Sequence, residues 1–313
     1  MCDADNSVDP GPTVVLDTGR SGLVYAIVFH PDGMHNLGGG IDGIRRWRLA
    51  DGQEVGNQTG TELRAISASR DQKWIVCGTA SGASIWDAGL REKVIDVEGQ
   101  NPVWAVDISS DSTRFATATE TDVCIWSISS GERLVGPLKH GGFVRGIRFS
   151  PSGEHIASME KKSIRIFDSR TGDELTTITT AAPSLVVNTP LAWSNDGRQI
   201  FAISNDTKIR AFQVSTGSQL TESQILNGGD AKSIALATSG KFIATYAGST
   251  IYFLDASTLT RIGHVIKEST YIKSIALSLD SRYIATGLDD GKIAVRELGH
   301  ILPDSYGPFH VSI

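Results

Sequence analysis

Short apolar stretches alternate with polar turns along the whole chain, and this combination repeats seven times. Each copy has a short apolar strand, a turn rich in Pro, Asp, Ser and Gly, and a second apolar strand. The copies begin at Val24, Leu63, Val103, Val144, Asn188, Ala231 and Ile272. A period of about forty residues, in short strands with no helix between them, predicts an all-β chain folded as a seven-bladed β-propeller.

Each repeat contains four predicted antiparallel strands. In the first strand the third residue is small or a proline and the fourth is aliphatic, as Ala65 and Ile66 are in the second repeat. Small residues at one depth suit the innermost strand, where neighbouring blades converge. A glycine-containing turn precedes the fourth, outer strand, because a tight reversal needs a positive φ. The predicted repeats cover roughly residues 18–58, 59–98, 99–138, 139–180, 181–226, 227–267 and 268–298.

Two features of these repeats resemble the WD40-repeat family over roughly residues 13–298. One is the Pro-Asp-Gly type of turn, and the other is an aromatic–acid pair at the end of the third strand. The pair is intact at Trp86–Asp87, weakened at Phe167–Asp168 and Leu254–Asp255, and altered elsewhere to Trp47–Arg48, Trp126–Ser127, Phe212–Gln213 and Arg296–Glu297. The histidine of the family's His–Ser/Thr–Asp–Trp network has a counterpart only in His140, so we expect packing between sheets to supply most of the stability.

The resemblance also implies how the ring closes. Proteins of the family use an N-terminal strand as the outermost strand of the last blade. Here the last repeat ends after its third strand at Leu298, and the strand TVVLD at residues 13–17 has no other partner. We therefore predict that residues 13–17 complete blade seven and remove the exposed sheet edges.

Composition narrows the expected domain organisation, location and partners of the protein. A chain of 313 residues that is 40% hydrophobic and filled by one repeat is expected to form a single domain, monomeric as an isolated chain. No apolar stretch is long enough for a membrane span, and the acidic N-terminus lacks a secretory signal. Three cysteines, two of them in apolar strands, indicate reduced thiols and a cytoplasmic location, with the nucleus as the alternative. The net charge of −6 argues against nucleic acid as a partner.

No catalytic or metal-binding motif is recognisable in the sequence. Nucleophile elbows, metal-binding His-Glu-x-x-His segments, phosphate loops and Cys-x-x-Cys pairs are all absent. The seven histidines are scattered and none of them pairs at ligand spacing on one strand or helix, although a propeller could bring distant ones together. His30 and His140 fall in turns where we expect surface positions. The sequence therefore assigns no catalytic residues, no metal ligands and no cofactor.

The second residue of the inner strand is the most informative position for function. Around the blades it is Tyr25, Arg64, Trp104, Arg145, Thr189, Lys232 and Lys273. Equivalent residues of a propeller form a circle at one mouth of the axial channel, and Phe143 and Tyr271 lie just outside it. Aromatics mixed with cations are typical of protein-binding hot spots, and cations favour acidic or phosphorylated ligands. We therefore take Tyr25, Arg64, Trp104, Arg145, Lys232, Tyr271 and Lys273 as candidate partner-binding residues; the alternative is that they pack along the channel wall with their polar ends in water.

The favoured function is a non-enzymatic interaction scaffold that binds a protein or peptide at the channel mouth. The alternative is an enzyme or small-molecule binder with its site in the channel, where Asp107 and Arg148 carry charge at a position otherwise occupied by Val, Ser or Ala. A salt bridge between blades three and four is the simpler explanation of those two charges. The C-terminal tail, residues 299–313, is expected to dock on the propeller, to be disordered or to plug the channel.

Overall fold

The computed structural model describes residues 11–17, 23–56, 62–98, 101–180, 191–204, 206–227 and 231–306. Within these residues lie 27 β-strands and one short 3₁₀ helix, Asp304–Tyr306. All the paired strands are antiparallel, and they form seven sheets. No described helix is long and apolar enough to cross a membrane. The predicted all-β architecture is confirmed.

Each sheet is one blade, and its strands follow one another outward from the axis in chain order, except in blade seven, whose outermost strand is Val14–Asp17. The innermost strands are β2 (Ala26–Phe29), β5 (Ala65–Ala68), β9 (Ala105–Ile108), β13 (Gly146–Phe149), β17 (Leu191–Trp193), β21 (Ala231–Leu236) and β25 (Ile272–Leu277). The second strands are β3 (His35–Gly40), β6 (Trp74–Gly78), β10 (Arg114–Ala118), β14 (His155–Met159), β18 (Gln199–Ile203), β22 (Phe242–Ala247) and β26 (Tyr283–Leu288).

The two outer layers complete the blades. The third strands are β4 (Gly43–Arg48), β7 (Gly82–Asp87), β11 (Asp122–Ser127), β15 (Ser163–Asp168), β19 (Ile209–Gln213), β23 (Thr250–Asp255) and β27 (Lys292–Glu297). The outermost strands are β8 (Lys93–Glu98), β12 (Arg133–Lys139), β16 (Glu174–Thr179), β20 (Gln219–Glu222), β24 (Ile266–Lys267) and β1 (Val14–Asp17). In blade one the outer segment pairs with β4 through a bridge between Trp47 and Glu54.

The seven blades form a closed ring. Each inner strand contacts the inner strand of the next blade, and β25 of the last blade contacts β2 of the first. At that junction the backbone N–H of Val24 donates to Leu288 O at 3.3 Å, and the Ser274 hydroxyl donates to Val24 O at 3.2 Å. Residues that are distant in sequence therefore meet around one axis.

The N-terminal strand closes the ring as predicted. Strand β1 pairs with β27 in blade seven, where Leu16 lies opposite Ile293. The Leu16 side chain is fully buried between blades seven and one, whereas Val15, pointing the other way, is 49% exposed. Because β1 comes from the opposite end of the chain, it joins the two termini of the ring without a covalent link.

Packing between neighbouring sheets supplies the core. The buried apolar side chains fall into seven clusters, and each cluster contains residues of two adjacent blades. The cluster between blades two and three, for example, includes Val76, Ile85, Val103 and Phe115. Burial of this surface is the main favourable contribution to folding, and here it is spread evenly around the ring.

The side-chain hydrogen bonds that link the segments of a blade differ from one blade to the next. In blade four the ring Nδ1–H of His140 donates to Leu138 O at 2.8 Å, so Nε2 accepts from the Ser158 hydroxyl at 2.7 Å. The imidazole also lies against Phe167, with ring centroids 5.7 Å apart. His140 is therefore buried, and the prediction of a surface position was wrong, because its turn folds back onto the third strand.

Blade seven replaces the histidine brace by a buried ion pair. Glu268 occupies the histidine position, and Arg296 occupies the position of the third-strand aromatic. The Arg296 guanidinium donates to Glu268 Oε1 at 2.5 Å, and the Thr286 hydroxyl donates to the same oxygen at 2.8 Å. Both charged side chains are about 95% buried. A pair of this kind costs desolvation free energy but leaves each charge satisfied.

The described part of the tail, residues 299–306, docks on blade six. Ile301 and Leu302 are buried in the cluster between blades six and seven. The Tyr306 hydroxyl donates to Asp255 Oδ2 at 2.7 Å. Although burial alone raises the pKa of Asp255, hydrogen bonds from Ser257, Tyr306 and Thr258 hold that pKa well below its usual value. Residues 299–306 of the tail are therefore docked, which was one of the three possibilities. Residues 307–313 lie outside the described part.

A candidate binding site at the mouth of the axial channel

The inner strands of all seven blades surround an axial cavity of about 770 Å³. Its wall is built mainly from small and aliphatic residues such as Ala26, Ala105, Ile147 and Ile275. Small side chains at the inner strand leave this space open, because seven strands converge there. The cavity is large enough for a side chain or a small molecule.

Three of the residues predicted at the second position of the inner strands lie at one mouth of this cavity, where Tyr25, Arg64 and Trp104 immediately precede β2, β5 and β9. The backbone N–H of Tyr25 donates to Gly39 O, and that of Arg64 donates to Gly78 O, both at 2.9 Å. Gly39 and Gly78 lie near the ends of second strands. Tyr25 and Arg64 therefore lie at the same level along the channel axis, beside the turns between second and third strands. Trp104 makes the equivalent bond to Ala118 O. Tyr25, Arg64 and Trp104 line the cavity.

The closest cation–aromatic contact at the mouth joins blades two and three. The Arg64 guanidinium carbon lies 4.2 Å from the centroid of the Trp104 ring. Glu62 Oε1 lies 3.2 Å from Arg64 Nε, and both side chains remain partly exposed. The Trp104 ring thus contacts one face of the Arg64 guanidinium, and Glu62 contacts one edge. A guanidinium held in this way can donate paired hydrogen bonds to a carboxylate or phosphate.

Two further cation–aromatic pairs lie on the same face but outside the cavity lining. Arg145 stands 4.6 Å from the ring centroid of Phe143, and Lys273 Nζ stands 5.9 Å from that of Tyr271. Partial burial lowers the pKa of Arg145. Lys273 Nζ also lies 4.0 Å from Asp289 Oδ2. Phe143 is 40% exposed and Tyr271 is 62% exposed, so both rings offer apolar surface to a partner.

Two of the predicted side chains lie outside the described part of the protein. Lys232 lies on β21, but its side chain falls outside the described part of the protein. Thr189 lies outside the described residues altogether. The structure thus brings Tyr25, Arg64 and Trp104 together around the channel entrance, with the Arg145 and Lys273 pairs on the same face.

Sequence reasoning missed one apolar residue of this face. Ile41 sits in the turn between β3 and β4 and is 63% exposed. The signal was present in the segment Gly-Gly-Gly-Ile-Asp-Gly, where one aliphatic residue interrupts a turn of Gly and Asp. An isoleucine in such a turn points to solvent because the flanking strands have no core position left for it.

The charged pair inside the channel is a salt bridge between blades. Arg148 Nη1 donates to Asp107 Oδ1 at 3.0 Å, and the backbone N–H of Phe149 donates to Asp107 Oδ2 at 2.8 Å. Burial raises the pKa of Asp107, and Arg148 and the Phe149 N–H partly oppose that rise. The predicted bridge between blades three and four is confirmed. Among the described lining residues Asp107 is the only carboxylate, and it accepts hydrogen bonds from Arg148 and the Phe149 N–H.

The expected surface position of His30 was also wrong. Its side chain is 93% buried and lies beside Asp32 and His35. The hairpin between β2 and β3 brings residues 30 and 35 opposite each other, which spacing along a single strand does not indicate.

Seven antiparallel sheets in a closed ring around a channel define a seven-bladed β-propeller. The family described as "WD domain, G-beta repeat" matches residues 91–127, 133–168 and 256–296. Three segments of this propeller therefore match WD40 repeats.

Curated relatives share limited identity with the chain. It is 26% identical over 153 residues to eukaryotic translation initiation factor 3 subunit I of Scheffersomyces stipitis, covering 44% of this chain and 43% of the relative. It is 26% identical over 194 residues to the serine-threonine kinase receptor-associated protein of Gallus gallus, covering 61% and 53%. A third relative is the small ribosomal subunit protein RACK1z of Oryza sativa subsp. japonica, 28% identical over 125 residues and covering 36% of each chain. The chain thus spans about half, or less, of the length of these relatives.

Proposed function

We propose that this protein is a non-enzymatic interaction scaffold whose channel mouth binds an acidic segment of a protein partner. The observation that carries the proposal is the Arg64 guanidinium stacked on Trp104 at the entrance of the axial cavity. The printed names of the relatives describe a subunit of an initiation factor, a receptor-associated protein and a protein of the ribosomal subunit. Each name places its protein within, or next to, a larger assembly.

Electrostatics supports an anionic partner. The chain as a whole carries a charge of −6, yet the mouth presents Arg64, Arg145 and Lys273, each against an aromatic ring. The rings hold the cations at fixed places, which reduces the side-chain entropy lost on binding. A carboxylate that approaches the mouth can accept hydrogen bonds from these cations, in competition with Glu62 at Arg64 and Asp289 at Lys273.

Apolar surface around these cations supports a peptide rather than a free anion. Phe143, Tyr271 and Ile41 are all exposed on the same face of the ring. Isolated exposed apolar residues are ordinary, but their position beside the stacked cations gives the mouth the composition of an interaction hot spot. The segment we expect to bind combines acidic with apolar residues.

A peptide array tests the proposal. We expect the native protein to bind peptides of mixed Asp, Glu and apolar residues at least about tenfold better than peptides with Lys in the acidic positions. Arg64→Glu should abolish this preference, and Arg64→Glu with Trp104→Ala and Arg145→Glu should abolish binding. Raising the salt concentration should weaken the native interaction, since the mouth is partly exposed.

A remote charge reversal provides the control. Arg48 lies at the outer end of β4, is about half exposed and pairs with Asp51. Arg48→Glu makes the same change in net charge as Arg64→Glu but leaves the mouth intact, so its binding should match that of the native protein. If Arg64→Glu and Arg48→Glu bind the acidic peptides equally well, the mouth is not the binding site.

A further inference from the structure

The turn between β2 and β3 in blade one differs from the corresponding turns of other blades. Four of those turns, in blades two, three, five and seven, contain a serine whose hydroxyl donates to an aspartate two residues later, at 2.6 Å in each case. In those turns the serine oxygen also accepts the backbone N–H of the residue five positions on, for example Trp74 in blade two. The serine–aspartate pair therefore satisfies the polar groups of the turn.

Blade one also has the aspartate, Asp32, but two histidines lie beside it instead of the serine. His30 stands where the other turns have serine, and His35 stands at the first position of the second strand. Nδ1 of His35 lies 2.7 Å from Asp32 Oδ2, and Nδ1 of His30 lies 2.9 Å from the same oxygen. One ligand atom of each residue lies within 4.8 Å of those of the other two.

The hairpin geometry pre-orients the three groups. The backbone N–H of His30 donates to His35 O at 2.9 Å, which places the two histidines directly across the hairpin. Asp32 Oδ1 accepts the backbone N–H groups of Met34 and His35, at 2.8 and 3.1 Å, so Oδ2 is the oxygen that faces the imidazoles.

Hydrogen bonds within the described protein do not satisfy His30. The backbone N–H of Asp32 points at His30 Nδ1 from 3.2 Å. Asp32 Oδ2 lies 2.9 Å from the same nitrogen, so either a proton on Nδ1 or a cation bound to both atoms must separate the two. His30 Nε2 is buried and has no hydrogen-bond partner among the described residues.

We propose that His30, Asp32 and His35 form a binding site for a divalent transition-metal ion, with Zn²⁺ as the expected occupant. Two imidazole nitrogens and one carboxylate oxygen are donors that suit Zn²⁺, Co²⁺ and Ni²⁺ better than Ca²⁺ or Mg²⁺. A solvent molecule or a group from a partner would supply the fourth ligand. The site lies on the face opposite the channel mouth, since the inner strands run from the mouth to these turns, and it is independent of the acidic-peptide proposal.

The fit requires a small adjustment of the side chains. Zinc–ligand bonds of about 2.0–2.1 Å at tetrahedral angles hold neighbouring donor atoms roughly 3.3 Å apart. The observed separations of 2.7 and 2.9 Å are those of proton-mediated contacts, so metal binding moves the atoms apart by about half an ångström. Asp32 and His35 are partly exposed and can make this movement, whereas the buried His30 stays in place.

The experiment is a metal titration of the full chain after chelator treatment. By calorimetry we expect the native protein to bind one more equivalent of Zn²⁺ than the double variant His30→Ser/His35→Gln, and a Co²⁺ titration should give a visible ligand-field band that the variant lacks. The His30→Ser change restores the serine of the other blades, so the turn should remain folded. The single variant His35→Gln leaves the buried histidine unchanged and should weaken binding by at least about tenfold.

A histidine in blade four serves as the matched control. His155 holds the position equivalent to His35, but its turn has Ser150 and Ser152 in place of His30 and Asp32. His155→Gln should retain the full stoichiometry and affinity of the native chain. Equal Zn²⁺ binding by the native protein and the double variant, or no binding by the native protein, would overturn the assignment.

Discussion

At the scale of single residues, His140 couples the stability of blade four to pH. Its imidazole is buried and neutral, with one nitrogen donating to Leu138 O and the other accepting from Ser158. Burial lowers the pKa of His140, partly opposed by the bond to Leu138. The unfolded chain therefore takes up the proton first as the pH falls.

The consequence is a loss of stability on the acid side of neutrality. The contribution of His140 is complete above the unfolded histidine pKa of about 6.5 and decreases as the pH falls from there towards the lower folded pKa. We expect His140→Gln to unfold with a free energy about 1 kcal/mol lower at pH 7.5. Between pH 7.5 and 5.5 its free energy of unfolding should fall less than that of the native chain. Urea unfolding at both pH values measures the difference, and identical pH dependence in the two proteins would contradict the assignment.

At the scale of elements, strand β1 completes the last blade without being covalently part of it. Leu16 is fully buried against Ile293 and other residues of blades seven and one, and the neighbouring Val15 faces solvent. The strand therefore contributes to the fold through one buried face and through its backbone bonds to β27.

Paired substitutions in β1 separate these contributions. Leu16→Ala should lower the free energy of unfolding by about 3 kcal/mol, because a cavity opens at the ring junction. Val15→Ala, one residue away on the exposed side, should change it by less than about 0.5 kcal/mol. Urea unfolding followed by tryptophan fluorescence gives both values. Similar effects of the two substitutions would mean that β1 is not docked in this register.

At the scale of the whole molecule, neighbouring blades are joined by polar links as well as by apolar clusters. Asp107 on β9 bonds both the Arg148 side chain and the Phe149 backbone of the next blade. The link faces the channel, where it is partly shielded from water, so its electrostatic interaction is stronger than at the outer surface.

A double-mutant cycle measures this link. Asp107→Asn and Arg148→Gln should each destabilise the propeller, and the coupling free energy between them should be about 1–3 kcal/mol. The exposed Arg48–Asp51 pair at the outer edge of blade one is the comparison, and its coupling should be clearly smaller because solvent screens it. Additive effects of the two channel substitutions would show that the charges act independently.

Much of the fold followed from the order of residues, because a blade is a local unit. The period of the apolar strands, the glycine turns and the unpaired strand at residues 13–17 all lie within segments of the chain or at its ends. The channel salt bridge was also predictable, since charge at one position of two consecutive inner strands is unusual in this repeat. These features depend on contacts within a blade or between equivalent positions of adjacent blades.

The sequence by itself determined the number of blades, their strand order and the position of Tyr25, Arg64 and Trp104 beside the axial channel. Only the tertiary structure decided that Arg64 stacks on Trp104, that His30 and His35 share one carboxylate, and that residues 299–306 dock on blade six. Side-chain direction, hairpin twist and the distance between blades control those contacts. Such quantities emerge when seven sheets pack around a common axis, and no local pattern of apolar and polar residues encodes them.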